Sequence, residues 1–266
     1  MKYFNFFLRV AFVTALVAFG WSFYNLNQIG RVDNLNSATK SDPVQTAIAK
    51  MDPIIFKTAA YTYTASPSYD YTITGIVVSK QDYEPQETDV TLPMRYDICM
   101  VWGKNATSGI YLSPDVSFSQ NQRFCNFNYS GSLDFNKAEL SNNHIVTTDQ
   151  AILDKIKMIR RGDEISITGY LINMNAMPNS SAVYDSTKVT KWDTSITRTD
   201  TGAGACEVIY VKSLDILTDS HVLDKQQNQY SLWGLIGTSS MFIIELFIIM
   251  LFVKPKTRTA SGFIKD

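Results

Sequence analysis

TTDQAILDKIKMIRRGDEISITGYLINM, residues 147–174, changes from a helical to an extended pattern within one turn of chain. Ile152, Ile156 and Ile159 recur at helical spacing with Leu153 and Met158 beside them, so Thr148 is read as the cap of a helix that ends at Arg160-Arg161-Gly162-Asp163. Arg161-Gly162-Asp163 matches an adhesion tripeptide, but its simplest role is a glycine cap on that helix. EISITGYLINM (164–174) then carries the β-branched and aromatic residues of a strand.

Working outward, the flanking segments are strand-like on both sides. YDYTITGIVVS (69–79) and VTLPMRYDICMVWG (90–103) come first, and in the second Tyr96, Ile98, Met100 and Trp102 alternate with Arg95, Asp97, Cys99 and Val101. GIYLSPDVSFS (109–119) and QRFCNFNY (122–129) follow, and ACEVIYVKSLDIL (205–217) closes the series after a long polar loop. A single helix between the third and fourth strand regions is the element order of an OB-type Greek-key barrel. The expected fold is therefore a mainly β domain over 69–218, OB-like, flanked by two transmembrane helices. Residues 25–68 read as a stalk in which Asp42-Pro43 starts a short helix through Met51, Asp as cap and Pro at the first helical position.

The flanks carry the two longest apolar runs. Residues 231–253 form one, whose stretch from Leu232 to Val253 spans about 33 Å as a helix at about 1.5 Å per residue. Residues 4–24 form the other. Trp21, Phe23 and Tyr24 end the first run while Tyr230 and Trp233 open the second, so both aromatic edges face the central domain. Lys2 and Arg9 lie before the first span, and Lys254, Lys256 and Arg258 lie in the basic tail, 254–266. The positive-inside rule then puts residues 1–3 and the tail in the cytoplasm and the central domain outside, periplasmic in a bacterial inner membrane. The competing reading of the first run is a cleaved signal peptide with Ala18-Phe19-Gly20 as its small-residue site, but the run continues apolar to Tyr24. Residues 219–230 link domain and second span.

Charge excludes one class of partner. Between Arg31 and Lys225 the chain has 18 basic and 23 acidic residues, a net charge of −5, poorly suited to phosphate backbones. Membrane lipid and a protein partner are expected instead of nucleic acid. Cys99, Cys125 and Cys206 fit no metal-ligand spacing. One disulfide plus one free thiol is the reading for an oxidising compartment, with Cys99–Cys125 preferred, against three small buried residues.

Candidate chemistry is sparse. Asp200-Thr201-Gly202-Ala203 resembles the active-site tetrapeptide of aspartic proteases, which need two carboxylates sharing a proton. No second copy occurs, so a glycine-rich turn into the last strand is the reading. His144 is placed in a polar turn before the helix, hydrogen-bonding locally; a nucleophile arrangement with Ser141 or Asp149 lacks an elbow motif. With only His144 and His221, no metal and no cofactor are expected. Tyr71, Trp102 and Trp192 are candidates for stacking on a ligand, their ordinary role being core packing. The function expected is a non-catalytic binding or scaffolding subunit of a cell-envelope complex; the alternative is an envelope-acting hydrolase using His144 with nearby carboxylates. Within the second span, MFIIELFIIM (241–250) contains one acid, Glu245. Its expected partner is Arg9 on the first span, aided by close approach at Gly234, Gly237 and Ser240; the rival is a protonated Glu245 facing another subunit.

Overall fold

The computed structural model describes residues 2–180, 186–200 and 205–252. In chain order its elements are α1 (Lys2–Asn25), β1 (Val44–Ala47), β2 (Ile54–Lys57), β3 (Tyr61–Asp82), β4 (Tyr96–Val101), α2 (Gly103–Thr107), β5 (Val116–Asn121), β6 (Phe124–Tyr129), β7 (Leu140–Val146), α3 (Gln150–Met158), β8 (Glu164–Pro178), β9 (Thr190–Trp192), β10 (Cys206–Thr218) and α4 (Val222–Phe252). Two compact units result: Leu26–Val222, and the pair of terminal segments, 1–25 and 223–266.

The central unit is mainly β sheet. β3 pairs with β4, β4 with β7, β7 with β10, β10 with β8, and β8 again with β3; only β7 and β10 run parallel. β3 can serve two neighbours because it is 22 residues long and shifts register at Pro67/Tyr69 against β8 and at Val77/Ser79 against β4, bulges that bend a strand and raise its twist. The short strands β1 and β2 extend the sheet along β3, and β9 extends it along β8. β5 and β6 form a separate hairpin.

Alternation along these strands sends one set of side chains to a common core. Tyr71, Ile73, Tyr96, Ile98, Met100, Trp102, Ile145, Ile165, Ile167, Leu171 and Ile209 belong to it, joined by Ile152, Ile156 and Ile159 from α3 and its C-cap. Asp149 caps α3 by accepting from Ala151 N at 2.8 Å. At the other end Lys80 Nζ donates to the carbonyls of Ile156 (2.8 Å) and Ile159 (2.6 Å), supplying the positive charge that a helix C-terminus favours. On the opposite face of β3 and β4, Ile76, Val78, Cys99 and Val101 pack against Tyr111, Phe118 and Phe135, which seats the β5–β6 hairpin.

Two expectations change. Val44–Ala47 is a strand paired with Tyr69–Thr72 of β3, where Asp42-Pro43 suggested a helix through Met51. The Asp42 carboxylate instead accepts from Trp102 Nε1 at 3.0 Å, and the β-branched Val44 and Thr46 fit the edge of a sheet. His144, expected in a polar turn before the helix, lies instead on the strand Leu140–Val146, in which every residue from Ser141 to Val146 is buried.

The other unit consists of two helices long and apolar enough to cross a membrane, Tyr3–Asn25 and Val222–Phe252. Large apolar side chains are exposed along both, as Phe7, Val17, Ile243 and Phe252 illustrate. Ser22 with Asn228 (3.1 Å), Asn25 with Asp224 (3.0 Å), and Ala15 beside Gly234 define one antiparallel register. That register carries Asn5, not Arg9, to Glu245: the Asn5 amide donates to the carboxylate, and Arg9 is exposed one turn further along. The expected Arg9–Glu245 pair is not formed, because the register is offset by about one turn from the one that would set Arg9 opposite Glu245.

Gly169 tests the crowding where β8 is held between β3 and β10. A Cβ there would stand 2.2 Å from the Tyr210 carbonyl oxygen, so Gly169→Ala is expected to lower stability by roughly 2–3 kcal/mol, read from denaturant unfolding of the detergent-solubilised chain.

Candidate functional site

β7 is polar yet central, so each of its polar side chains needs a partner. Asn143 Nδ2 donates to Ile98 O (2.9 Å) and Ser141 Oγ (3.0 Å). Asn142 Nδ2 donates to Arg123 O (2.8 Å) and lies 3.4 Å from Cys206 Sγ. His144 Nδ1 is 2.8 Å from Asp97 Oδ1. Register places Asp97 of β4 directly opposite His144, and Cys206 of β10 opposite Asn142, so Asp97, His144, Asn142 and Cys206 share one face.

The β5–β6 turn completes this face. Gln122 and Arg123 both take positive φ, 49° and 69°, the conformation of a tight hairpin turn that normally favours Asn or Gly. It brings Arg123 Nη1 to Met94 O (2.6 Å) and to Asp97 Oδ1 (3.3 Å), with the guanidinium 4.1 Å from the centre of the Tyr83 ring. Burial pulls the His144 imidazole pKa down, but its hydrogen bonds to Asp97 and Cys206 and the charges on both outweigh that and raise it to about 9. Burial raises the Tyr83 phenol as well, reinforced by the nearby Asp97 carboxylate.

The next residue of β10 faces the core. Glu207 is 2 % exposed and pairs with Arg198 from the loop before β10. Arg198 also donates to Gln45 Oε1 (3.1 Å) and the Tyr71 hydroxyl (3.2 Å) and lies over the Tyr71 and Trp102 rings. Burial pushes the Glu207 carboxyl up to about 7, with Arg198 drawing it the other way. Thus Tyr71 and Trp102 come together, but beneath Arg198 and fully buried, so they support the site rather than stack on a ligand. Trp192 is elsewhere, on β9 opposite Met174.

A cavity of about 440 Å³ opens where β7 and β10 begin, within the range of small-ligand sites. Phe124, Phe127, Lys137, Asn142, Arg198 and Cys206 are among its lining residues. Cys99 and Cys125 are bonded, Cα to Cα 5.8 Å, and Cys206 is a free thiol. Ser141 and Asp149 are not beside His144: Ser141 turns to the core face with Asn143, and Asp149 caps α3. Asp200 accepts from Ser195 Oγ at 2.6 Å, while Thr201, Gly202 and Ala203 of the expected turn lie outside the described residues. Among the described residues no cluster of three or more His, Cys, Asp or Glu side chains could hold a metal. No family model, no curated protein and no solved structure matches this chain.

Two measurements probe the electrostatics. With its folded value raised above the ordinary 6.5, His144 contributes stability that is fully present below about pH 6.5 and lost as pH rises through about 9. Denaturation midpoints of the native chain should therefore fall between about pH 7 and 9, by an amount on the order of 2 kcal/mol that His144→Gln abolishes. Arg198→Met leaves Glu207 buried without its cation and is expected to cost roughly 3 kcal/mol in unfolding free energy, much of it recovered by adding Glu207→Gln.

Proposed function

We propose that this chain is a two-pass protein of the cytoplasmic membrane, both termini cytoplasmic, whose outside domain is an OB-like barrel acting as a binding or scaffolding subunit of a cell-envelope complex. The observation that carries this reading is the pairing circuit β3–β4–β7–β10–β8–β3, with β7 and β10 parallel and α3 between β7 and β8. Such a circuit closes five strands on one core without leaving an unpaired edge among them. OB barrels take ligands over their second and third strands and the loop joining the fourth and fifth. Here those are β4, β7 and the segment between β8 and β10, of which Leu140–Asn142 of β7 and Thr197, Arg198, Asp200 and Ala205 line the cavity.

Location draws support from two independent features. Basic residues flank the outer ends of both apolar runs, and the Cys99–Cys125 bond suits an oxidising compartment. Lipid surrounds the spans, while the partner of the outside domain is a protein. Phe124 and Phe127 give the cavity apolar walls, and Lys137 adds a cation beside the Arg198–Glu207 pair, suited to a segment presenting an apolar side chain beside an acidic one.

The alternative, a hydrolase acting on an envelope substrate through His144 and a carboxylate, has one observation in its favour: the buried contact of His144 with Asp97.

Mild-detergent purification of the full chain, followed by mass spectrometry, tests the binding reading. A partner retained by the wild type and lost from Lys137→Glu and Phe127→Ala is expected. Absence of any stable partner, or equal capture by the two variants, refutes it.

A further inference from the structure

The hydrolase alternative needs a nucleophile beside His144, and Ser141 is turned to the other face with Asn143. We propose that Cys206, His144 and Asp97 form a thiol nucleophile site that accepts an acyl group from an ester or thioester substrate entering the cavity at the start of β7 and β10. This goes beyond the binding reading and does not need the protein partner.

Three observations carry it. Strand register, rather than loop placement, aligns the groups: Asp97 opposite His144 across β4 and β7, and Cys206 opposite Asn142, two residues from His144 on the same face. With Nδ1 engaged by Asp97 at 2.8 Å, the ring's other nitrogen, Nε2, remains to share a proton with the thiol. Cys206 belongs to none of the three apolar core clusters; it borders the cavity and has polar neighbours, unlike an inert core cysteine. Finally, Glu207 also lines the cavity and is almost wholly buried, yet its Oε2 has no hydrogen-bond partner among the described residues. That oxygen is buried in the cavity wall on the face of β10 opposite Cys206, an unpartnered polar atom of the kind a ligand's donor would satisfy.

The step balances without any redox partner. The proton shared by Cys206 Sγ and His144 Nε2 lies on the imidazole when Sγ attacks the substrate carbonyl carbon; a C–S bond forms, the bond to the leaving oxygen or sulfur breaks, and His144 gives that proton to the leaving group. Water then attacks the thioester with His144 taking its proton, the C–S bond breaks, and the thiol is restored. Asn142 Nδ2, 3.4 Å from Sγ, is placed to donate to the carbonyl oxygen as charge develops on it. Asp97 is a positioning residue: its Oδ1 holds the imidazole and accepts from Arg123 Nη1 as well, with Tyr83 beside both. Glu207, on the other face of β10, is drawn down slightly by the His144 charge.

The full chain in mild detergent under non-reducing conditions has one free cysteine to follow. Iodoacetamide labelling of Cys206, read by mass spectrometry, should change less than about threefold between pH 6 and 8, whereas an isolated thiol gains about tenfold per pH unit. At about pH 6 His144→Gln should label roughly tenfold more slowly than wild type and at about pH 9 no more slowly, with Asp97→Asn between them. p-Nitrophenyl acetate should leave an acetyl group on Cys206 that hydroxylamine removes, and none in Cys206→Ser. The proposal falls if the wild-type profile climbs like that of a simple thiol, if Cys206 labels only in denaturant, or if no acetyl group reaches it. The wild-type profile decides alone should either charge variant fold poorly.

Discussion

β10 is held between two strands that run in opposite directions, parallel to β7 and antiparallel to β8. Its position between them fixes which of its residues meet each face of the sheet. Arg198, before β10, lies over Tyr71 and Trp102, and β10 itself delivers Cys206 to one face of the sheet and Glu207 to the other. Both faces of the candidate site thus follow from one topological constraint.

A polar strand in the middle of a sheet is tolerated only if its side chains are satisfied there. Each Asn of β7 has a backbone carbonyl from a neighbouring element, and His144 has Asp97. The same solution recurs at the start of β8, where two buried acids hold both ends of the domain. Glu164 accepts from Asn36 N, Thr39 Oγ1 and Thr218 Oγ1, and Asp163 accepts from Ser220 N and Oγ. Gly162, at φ +97° and with its N–H on Val77 O at 2.6 Å, permits the close approach of Gly30 that this requires. Charge buried at Asp163–Glu164 is matched group by group, so it acts as a staple; at Asp97 and Glu207 one oxygen each is left over.

What the sequence discloses depends on whether apolar periodicity reports the element. α3, the alternating face of 96–101, β8 and β10 were legible because their burial repeats at 3.6 or 2 residues, and the two terminal helices because nothing interrupts them. Ser141–His144 was not, since a strand whose inward and outward residues are both polar has no hydrophobic period; its only signal was a run of polar residues ending in Ile145-Val146 beside one of two histidines. Asp42-Pro43 misled in the opposite way, a cap signature whose carboxylate is recruited by Trp102 across the fold. The Cys206–His144–Asp97 arrangement was invisible for the same reason: it is created by register across three strands, separated by 47 residues between Asp97 and His144.

Register also explains why one cysteine remains a thiol in a domain that carries a disulfide. Cys99, Asn142 and Cys206 occupy one rung across β4, β7 and β10. With neighbouring strands about 4.8 Å apart, Cys99 and Cys206 are roughly 10 Å apart between Cα atoms, beyond the roughly 7 Å that a disulfide spans. The β5–β6 hairpin crosses over the same face and brings Cys125 within 5.8 Å of Cys99, closing that bond on the side of Asn142 away from Cys206. Asn142 therefore does two things at once: its width keeps the third sulfur out of the disulfide, and its amide turns toward that sulfur. A Ser or Ala at this position would leave the strand spacing unchanged but remove the donor, so the separation of the oxidised pair from the free thiol rests on backbone geometry, and the environment of the thiol on a side chain.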